Sequence, residues 1–149
     1  MFIQVIQGQC RDADRIHQLS DEWRDTLGPG ADGWLGGTYG ITDDGQFVAV
    51  VRFESRDAAM RNSTRPEQGE WWQQMAECFD GEVSFHDSDD VTLFLGGGSD
   101  DAGFVQVIQG RLTDTERFRT FMSQPMEALH EARPEILGGT IAIEPDGTF

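Results

Sequence analysis

The seven residues FIQVIQG at positions 2–8 return almost unchanged as FVQVIQG at positions 104–110, and this recurrence decides how the chain is read. Sliding the sequence against itself by 102 positions aligns residues 2–47 with 104–149 without a gap, and 17 of those 46 pairs are identical. The identities fall where backbone geometry is demanding. Gln4 to Gly8 match Gln106 to Gly110, Leu35-Gly36-Gly37-Thr38 match Leu137-Gly138-Gly139-Thr140, and Asp44-Gly45 match Asp146-Gly147. Such a pattern marks an internal duplication.

Working outward, each copy reads as strand, helix, strand. Residues 2–7 are β-branched and aromatic and close at Gly8, which suits a strand leaving into a turn. In the first copy Asp12 is placed to cap a helix whose apolar residues Ile16, Leu19, Trp23 and Leu27 recur at three- and four-residue steps. In the second, Thr113 and Glu116 are spaced as a capping box ahead of Phe118, Phe121, Met122 and Leu129. A strand over 35–42 then turns at Asp43-Asp44-Gly45 into a strand over 46–53. The first copy continues with a helix capped by Ser55, a break at Pro66, and a helical run presenting Trp72, Met75 and Phe79 that ends at Gly81. Its last strand, over 82–95, is interrupted at 86–90.

The order β-α-β-β-α-β is that of a ferredoxin-like α+β unit, an antiparallel sheet with both helices on one face. The expected organisation is a complete unit over 1–95, a Gly/Ser/Asp linker over 96–103, and the first half of a second unit over 104–149. In this topology the third strand lies between the first and the second. The second copy is therefore expected to be followed by residues resembling 48–95, or to accept a strand from another chain. Two such units are expected to lay their uncovered sheet faces together as an intrachain pseudo-dimer of α/β-barrel type, with homodimerisation left open.

Composition narrows the partners. The 149 residues are 38% hydrophobic and 26% charged, with 27 acidic residues against 11 basic ones and a net charge of −16. That charge repels phosphate backbones and anionic lipid, so neither nucleic acid nor membrane is expected as a partner. No apolar run reaches membrane-spanning length and the N-terminus lacks the zones of a signal peptide, so the expected location is cytoplasmic. Cys10 and Cys78 have no zinc-site spacing and read as reduced thiols. The acidic run over 86–90 lacks the ligand spacing of a calcium loop, and Gly96-Gly97-Gly98 lacks the context of a phosphate loop. No metal and no cofactor are expected.

The stretch VVRFESRDAAMRNSTRPEQGEWWQQMAECFDGEVSFHD, and within it the entry Phe53 to Ala58, resembles the third strand, second helix and fourth strand of the antibiotic biosynthesis monooxygenase-like group of the dimeric α/β-barrel superfamily. Together with the strand order, the resemblance spans residues 2–95 and 104–149. It implies a barrel built from two units and, among activities, cofactor-free oxidation of aromatic polyketides, haem degradation, or none known. The haem-degrading branch uses an Asn in the first strand and a His after the second-helix Trp. Here Gln4 and Gln7 stand in that strand, and no His follows Trp71 and Trp72 before His86, which leaves haem chemistry unmatched. Against the polyketide-oxidising branch, Asn62, Trp71, Trp72 and Arg52 compare only loosely.

Two functions follow as expectations. One is a monooxygenase-like enzyme that oxidises a small aromatic or enolic molecule inside the barrel without a cofactor. In it His86 serves as the general base, and Gln4, Arg52, Trp71 and the repeat-related Gln106 are pocket residues. The other is a barrel that binds a small ligand, or associates with itself, without catalysis. Each candidate also has a plain structural role: a satisfied amide for Gln4, a surface group for His86, a carboxylate partner for Arg52, and core packing for one of Trp71 and Trp72, which adjacent helix positions point about 100° apart. A roomy cavity bordered by His86 and Arg52 favours the enzyme; a solidly filled interior favours the scaffold.

Overall fold

Strand β1 (Phe2–Cys10) pairs antiparallel with β3 (Gln46–Phe53), setting Phe2 opposite Phe53, Gln4 opposite Val51, Ile6 opposite Ala49 and Gly8 opposite Phe47. Directly opposed residues share a sheet face and neighbours along a strand alternate, so this register assembles one apolar face from two strands. Strand β2 (Trp34–Ile41) pairs antiparallel with β3, and β4 (Phe79–Ser88) lies beside β1, giving the order β2-β3-β1-β4. The third strand does lie between the first and second, and the fold is α+β with ferredoxin-like order. This computed structural model describes residues 1–99, 101–124 and 127–149, and the chain divides into two compact units, Met1–Asp87 and Ser88–Phe149.

Helices cover the face that carries Phe2, Ile6 and Phe47. Helix α1 (Ala13–Glu22) starts at Asp12, whose Oδ1 accepts the Arg15 N–H at 3.0 Å, satisfying one of the orphan donors of the first turn. Its Ile16 and Leu19 are completely buried. The expected helix does not run on regularly to Leu27: a π-turn spans Trp23–Leu27 and a short 3-10 turn spans Gly28–Gly30. Helix α2 (Arg56–Ser63) begins where the Ser55 hydroxyl accepts the Ala58 N–H, and α3 (Pro66–Ala76) begins on a proline, whose missing N–H is not needed in the first turn. Two buried clusters result. One joins Ile16, Leu19, Phe47, Ala49, Met75, Cys78 and Phe79; the other joins Phe2, Phe53, Ala58 and Ala59. Ile3, on the opposite face of β1, is buried as well.

In the second unit β5 (Asp90–Phe94) pairs antiparallel with β6 (Gly139–Ile143), and α4 (Thr115–Met122) and α5 (Glu127–Ala132) lie between them in sequence. Residues 90–94, expected to finish the first repeat, thus belong to this unit. The strand break falls at Asp89, where the Ser88 hydroxyl donates to the Ile143 carbonyl at 2.6 Å. The cap of α4 is Asp114, with its Oδ1 accepting from Arg117 N–H at 2.9 Å, one residue beyond the expected Thr113. Asp114 is the position equivalent to Asp12, and the same carboxylate geometry recurs. Other bonds recur at the same offset. Cys10 N–H donates to Gly45 O at 2.7 Å and Leu112 N–H to Gly147 O at 2.9 Å, while Gly45 and Gly147 turn their hairpins at φ of 82° and 85°.

The recurrence stops short of the strand that opens the repeat. Residues 104–109 form no strand, and Phe104 and Ile108 are 82% and 67% exposed. The physical reason is pairing: β1 is held by β3, whereas no strand equivalent to β3 occurs among the described residues of the second unit, and an extended segment without a ladder has little to hold it. Truncating Leu19 in the first unit is expected to cost about 2–5 kcal/mol, read as a fall in the urea midpoint at unchanged slope.

Candidate functional site

Between the helices and the sheet of the first unit, the core is interrupted by a cavity of about 420 Å³, within the roughly 300–1,000 Å³ typical of small-molecule sites. Its sheet side is made by Gln4 and Ile6 of β1 and Ala49, Val51 and Phe53 of β3. Its walls are aromatic: Trp23 from the π-turn, Trp34 and Tyr39 from β2, Trp71 and Trp72 from α3, and Phe85 from β4. Every one of the four tryptophans in the chain borders it. The void exists because Ser20, Gly37, Ala49, Ala59, Ser63 and Gly69 occupy positions where larger side chains would fill the gap between the two core clusters.

The rings brace one another. Trp23 meets Trp34 edge-on with centroids 4.9 Å apart, and Trp72 meets Phe85 at 5.2 Å; such contacts fix ring planes as well as bury area. The Trp71 indole N–H donates to the Leu19 carbonyl at 2.8 Å. Although adjacent on α3, Trp71 and Trp72 both border the cavity and both pack on the larger core cluster. Their centroids are 6.1 Å apart, since long indoles converge where shorter side chains would diverge.

Several polar groups at the border are hydrogen-bonded, while the Trp34 indole N–H is buried without a hydrogen-bond partner among the described residues. Gln4 Nε2 donates to Asp87 Oδ1 at 2.9 Å, and Asp87 Oδ2 pairs with Arg56 at 3.5 Å. On the helix side, Arg65 donates to Asn62 Oδ1 at 2.9 Å and to the Leu27 carbonyl at 3.1 Å. Asn62 Nδ2 donates in turn to Gln68 Oε1 at 3.4 Å, and the Trp23 indole N–H donates to that same oxygen at 2.7 Å. The Tyr39 hydroxyl lies 2.9 Å from Nδ1 of His17. Glu67, beside Arg65, has its carboxyl held below the usual range by its own backbone N–H and then by the Arg65 guanidinium. Burial pushes the Cys78 and Cys10 thiols up. Among the described residues no group of three or more His, Cys, Asp or Glu is placed to hold a metal ion, and no helix is long and apolar enough to cross a membrane.

Of the residues singled out from sequence, the structure brings Gln4 and Trp71 to the cavity, with Asn62 and Trp72 beside them. Arg52 and His86 are not on its border. Each sits between two residues that face the helices: Arg52 between Val51 and Phe53, His86 between Phe85 and Asp87. Strand alternation therefore turns both to the other side of the sheet. The Arg52 guanidinium runs beside Gly36, where φ is 122° and an added Cβ would come within 2.9 Å of it. Gln106 is exposed in the strandless segment of the second unit. Sequence reasoning passed over Trp34, Tyr39, Gln68 and Phe85, and took Trp23 as core alone. The available signal was composition: four Trp in a chain of this size, three of them beside Gly or Ser/Gly-containing segments, is more aromatic surface than a small core needs.

No family model matches the sequence, and no curated protein matches it. Solved structures do. A candidate antibiotic biosynthesis monooxygenase from Caulobacter crescentus superposes with a TM-score of 0.54 at 12% identity, covering 59% of this chain and 87% of that one. A candidate antibiotic biosynthesis monooxygenase from Bordetella bronchiseptica gives 0.49 at 21% identity over 60% and 96% of the two chains. SnoaB, a cofactor-independent oxygenase from Streptomyces nogalater, gives 0.49 at 12% identity over 57% and 89%. The fold of this protein is that of the antibiotic biosynthesis monooxygenase proteins, a ferredoxin-like α+β sheet covered by helices on one face.

Asn62 is 8% exposed and bonded on both sides, so Asn62→Ala is expected to lower stability by about 1–3 kcal/mol by leaving partners unsatisfied, measured by chemical denaturation. Because their thiol pKa values are raised, Cys10 and Cys78 should alkylate with iodoacetamide at pH 7.5 far more slowly than the same thiols in urea, the thiolate being the reactive form.

Proposed function

We propose that the first unit binds a flat aromatic or enolic molecule in this cavity and oxidises it with dioxygen, without a cofactor. The cavity carries the reading: its volume suits two or three fused rings, its walls are indole and phenyl faces that stack on such rings, and its small residues leave the space free. The fold shared with antibiotic biosynthesis monooxygenase proteins supports it.

Oxidation of this kind begins by removing a proton, so that an electron-rich anion meets oxygen. Tyr39, on the cavity border with its hydroxyl 2.9 Å from His17 Nδ1, is the group suited to that step. A ligand hydroxyl passes its proton to Tyr39 Oη as the Tyr39 proton passes to His17 Nδ1. Tyr39 ends neutral, His17 charged and the ligand anionic.

A second reading, binding without turnover, is favoured by the border itself, which carries no histidine and no carboxylate. The recurring cap and hairpin bonds support, in addition, a view of residues 104–149 as the opening half of a second copy of the unit.

Anthrone separates the two readings. It enolises, is three rings wide, and takes one dioxygen to give anthraquinone and water. The enzyme should consume oxygen with it in chelator-treated buffer, and Tyr39→Phe should slow that consumption about a hundredfold while the quenching of tryptophan fluorescence by anthrone persists. Quenching without oxygen uptake would establish the binding protein; neither signal would remove the cavity from function.

A further inference from the structure

The amides that border the cavity cannot turn over, and their fixed directions set which polar groups a ligand must carry. On the sheet, Asp87 presents a carboxylate, which only accepts hydrogen bonds. Gln4 must therefore face it with Nε2, at 2.9 Å, and Asp87 is itself held through Arg56, whose guanidinium lies 4.8 Å from the centre of the Phe2 ring. What remains of the Gln4 amide for a ligand is its oxygen, which takes no hydrogen bond from the described chain.

The helix side is fixed by donors. Arginine and the indole N–H only donate. Arg65 donates to Asn62 and so claims Oδ1; Asn62 then has only Nδ2 to offer Gln68; and Gln68 must meet both Asn62 Nδ2 and Trp23 Nε1 with Oε1. The Gln68 Nε2 is the atom left over, and it donates to nothing in the described chain. Reversing either glutamine would set N–H against N–H or oxygen against carboxylate, so the partners fix both orientations.

We infer that Gln4 and Gln68 are specificity-determining residues, and that the cavity selects a molecule with a hydrogen-bond donor toward Gln4 on the sheet and an acceptor toward Gln68 on helix α3: a fused-ring compound that carries both a hydroxyl and a carbonyl. This rests on the cavity being a ligand site, and it adds a direction to it. A site built to bond a particular polar group rejects the analogue lacking it far more strongly than an apolar wall rejects a change of shape.

Three two-ring probes test the assignment on the whole chain, with tryptophan fluorescence reporting binding. 6-Hydroxy-1-tetralone has both groups, 6-methoxy-1-tetralone lacks the donor, and 5,6,7,8-tetrahydro-2-naphthol lacks the acceptor. The first should bind about tenfold or more tighter than either of the others. Gln68→Glu keeps an acceptor for Trp23 and Asn62 but removes the free donor. In that variant the tetralone carbonyl should confer no advantage, so that 6-hydroxy-1-tetralone binds no better than the tetrahydronaphthol, while the preference for a hydroxyl over a methoxyl persists. Equal affinity for all three probes, or an unaltered ranking in Gln68→Glu, would overturn the polarity and leave the cavity as a ligand site. If none of the three binds the wild-type chain, the cavity is no site for such molecules and the selectivity falls with it.

Discussion

Register between β1 and β3 is the constraint on which the rest of the first unit depends. With Gln4 opposite Val51 and Ile6 opposite Ala49, one face of two strands receives Phe2, Gln4, Ile6, Phe47, Ala49, Val51 and Phe53, and the helices close over it. A slip of β3 by one residue would send Phe47, Ala49, Val51 and Phe53 to the other side of the sheet and bring Arg52 and Val50 under the helices instead. The hairpin at Asp43-Asp44-Gly45 fixes β2 against β3 at one end, where Gly45 adopts a φ of 82° that residues with a Cβ rarely take. Close to that hairpin on β1, Gly8 admits the Phe79 ring, which lies 2.9 Å from where a Cβ would stand.

That same face explains how the fold accommodates the cavity. Apolar area is buried on both flanks of the cavity, by Ile16, Leu19 and Met75 on one and by Phe2, Phe53 and Ala58 on the other, so folding does not require the middle to be filled. Bracing replaces filling there. Trp23, Trp34, Trp71 and Trp72 lean on one another and on hydrogen-bonded neighbours, and the polar chain from Arg65 to Trp23 satisfies groups that burial would otherwise leave stranded.

Much of the fold was legible in the residues. Asp12 and Ser55 announced their helices, Pro66 opened the next, and Asp44-Gly45 marked its turn, because caps and turns are local chemistry that a short window contains. The strand order followed from the sequence of elements alone. The π-turn at Trp23 was not legible, since it keeps the apolar spacing of a regular helix. Residues 104–109 show the limit of pattern: they repeat β1 nearly letter for letter, yet a strand is a property of a pair, and pairing is not written in either member. The candidate site was half legible. Gln4 stood out as an amide among apolar strand residues, and Trp71 as one of a pair. His86 and Arg52 drew notice as lone polar residues in strands, but their facing depends on which parity the helices cover, and that is decided by packing. Tyr39 and His17 are 22 positions apart in the chain and meet only in space.

Arg65 ties together three pieces of backbone that would otherwise move separately. Its guanidinium reaches the carbonyl of Leu27 at the end of the π-turn, Asn62 near the end of α2, and Glu67 at the start of α3, and it packs so closely on Gly30 that a Cβ there would lie 2.8 Å from it. Only a fifth of the Arg65 side chain is exposed, and its bonds to Leu27 and Asn62 are part-buried, where salt screens less than at the surface. Walls anchored to one another in this way have little freedom left to lose when a guest arrives. On the binding reading proposed above, a guest would meet walls already arranged, and little of its affinity would go into ordering them.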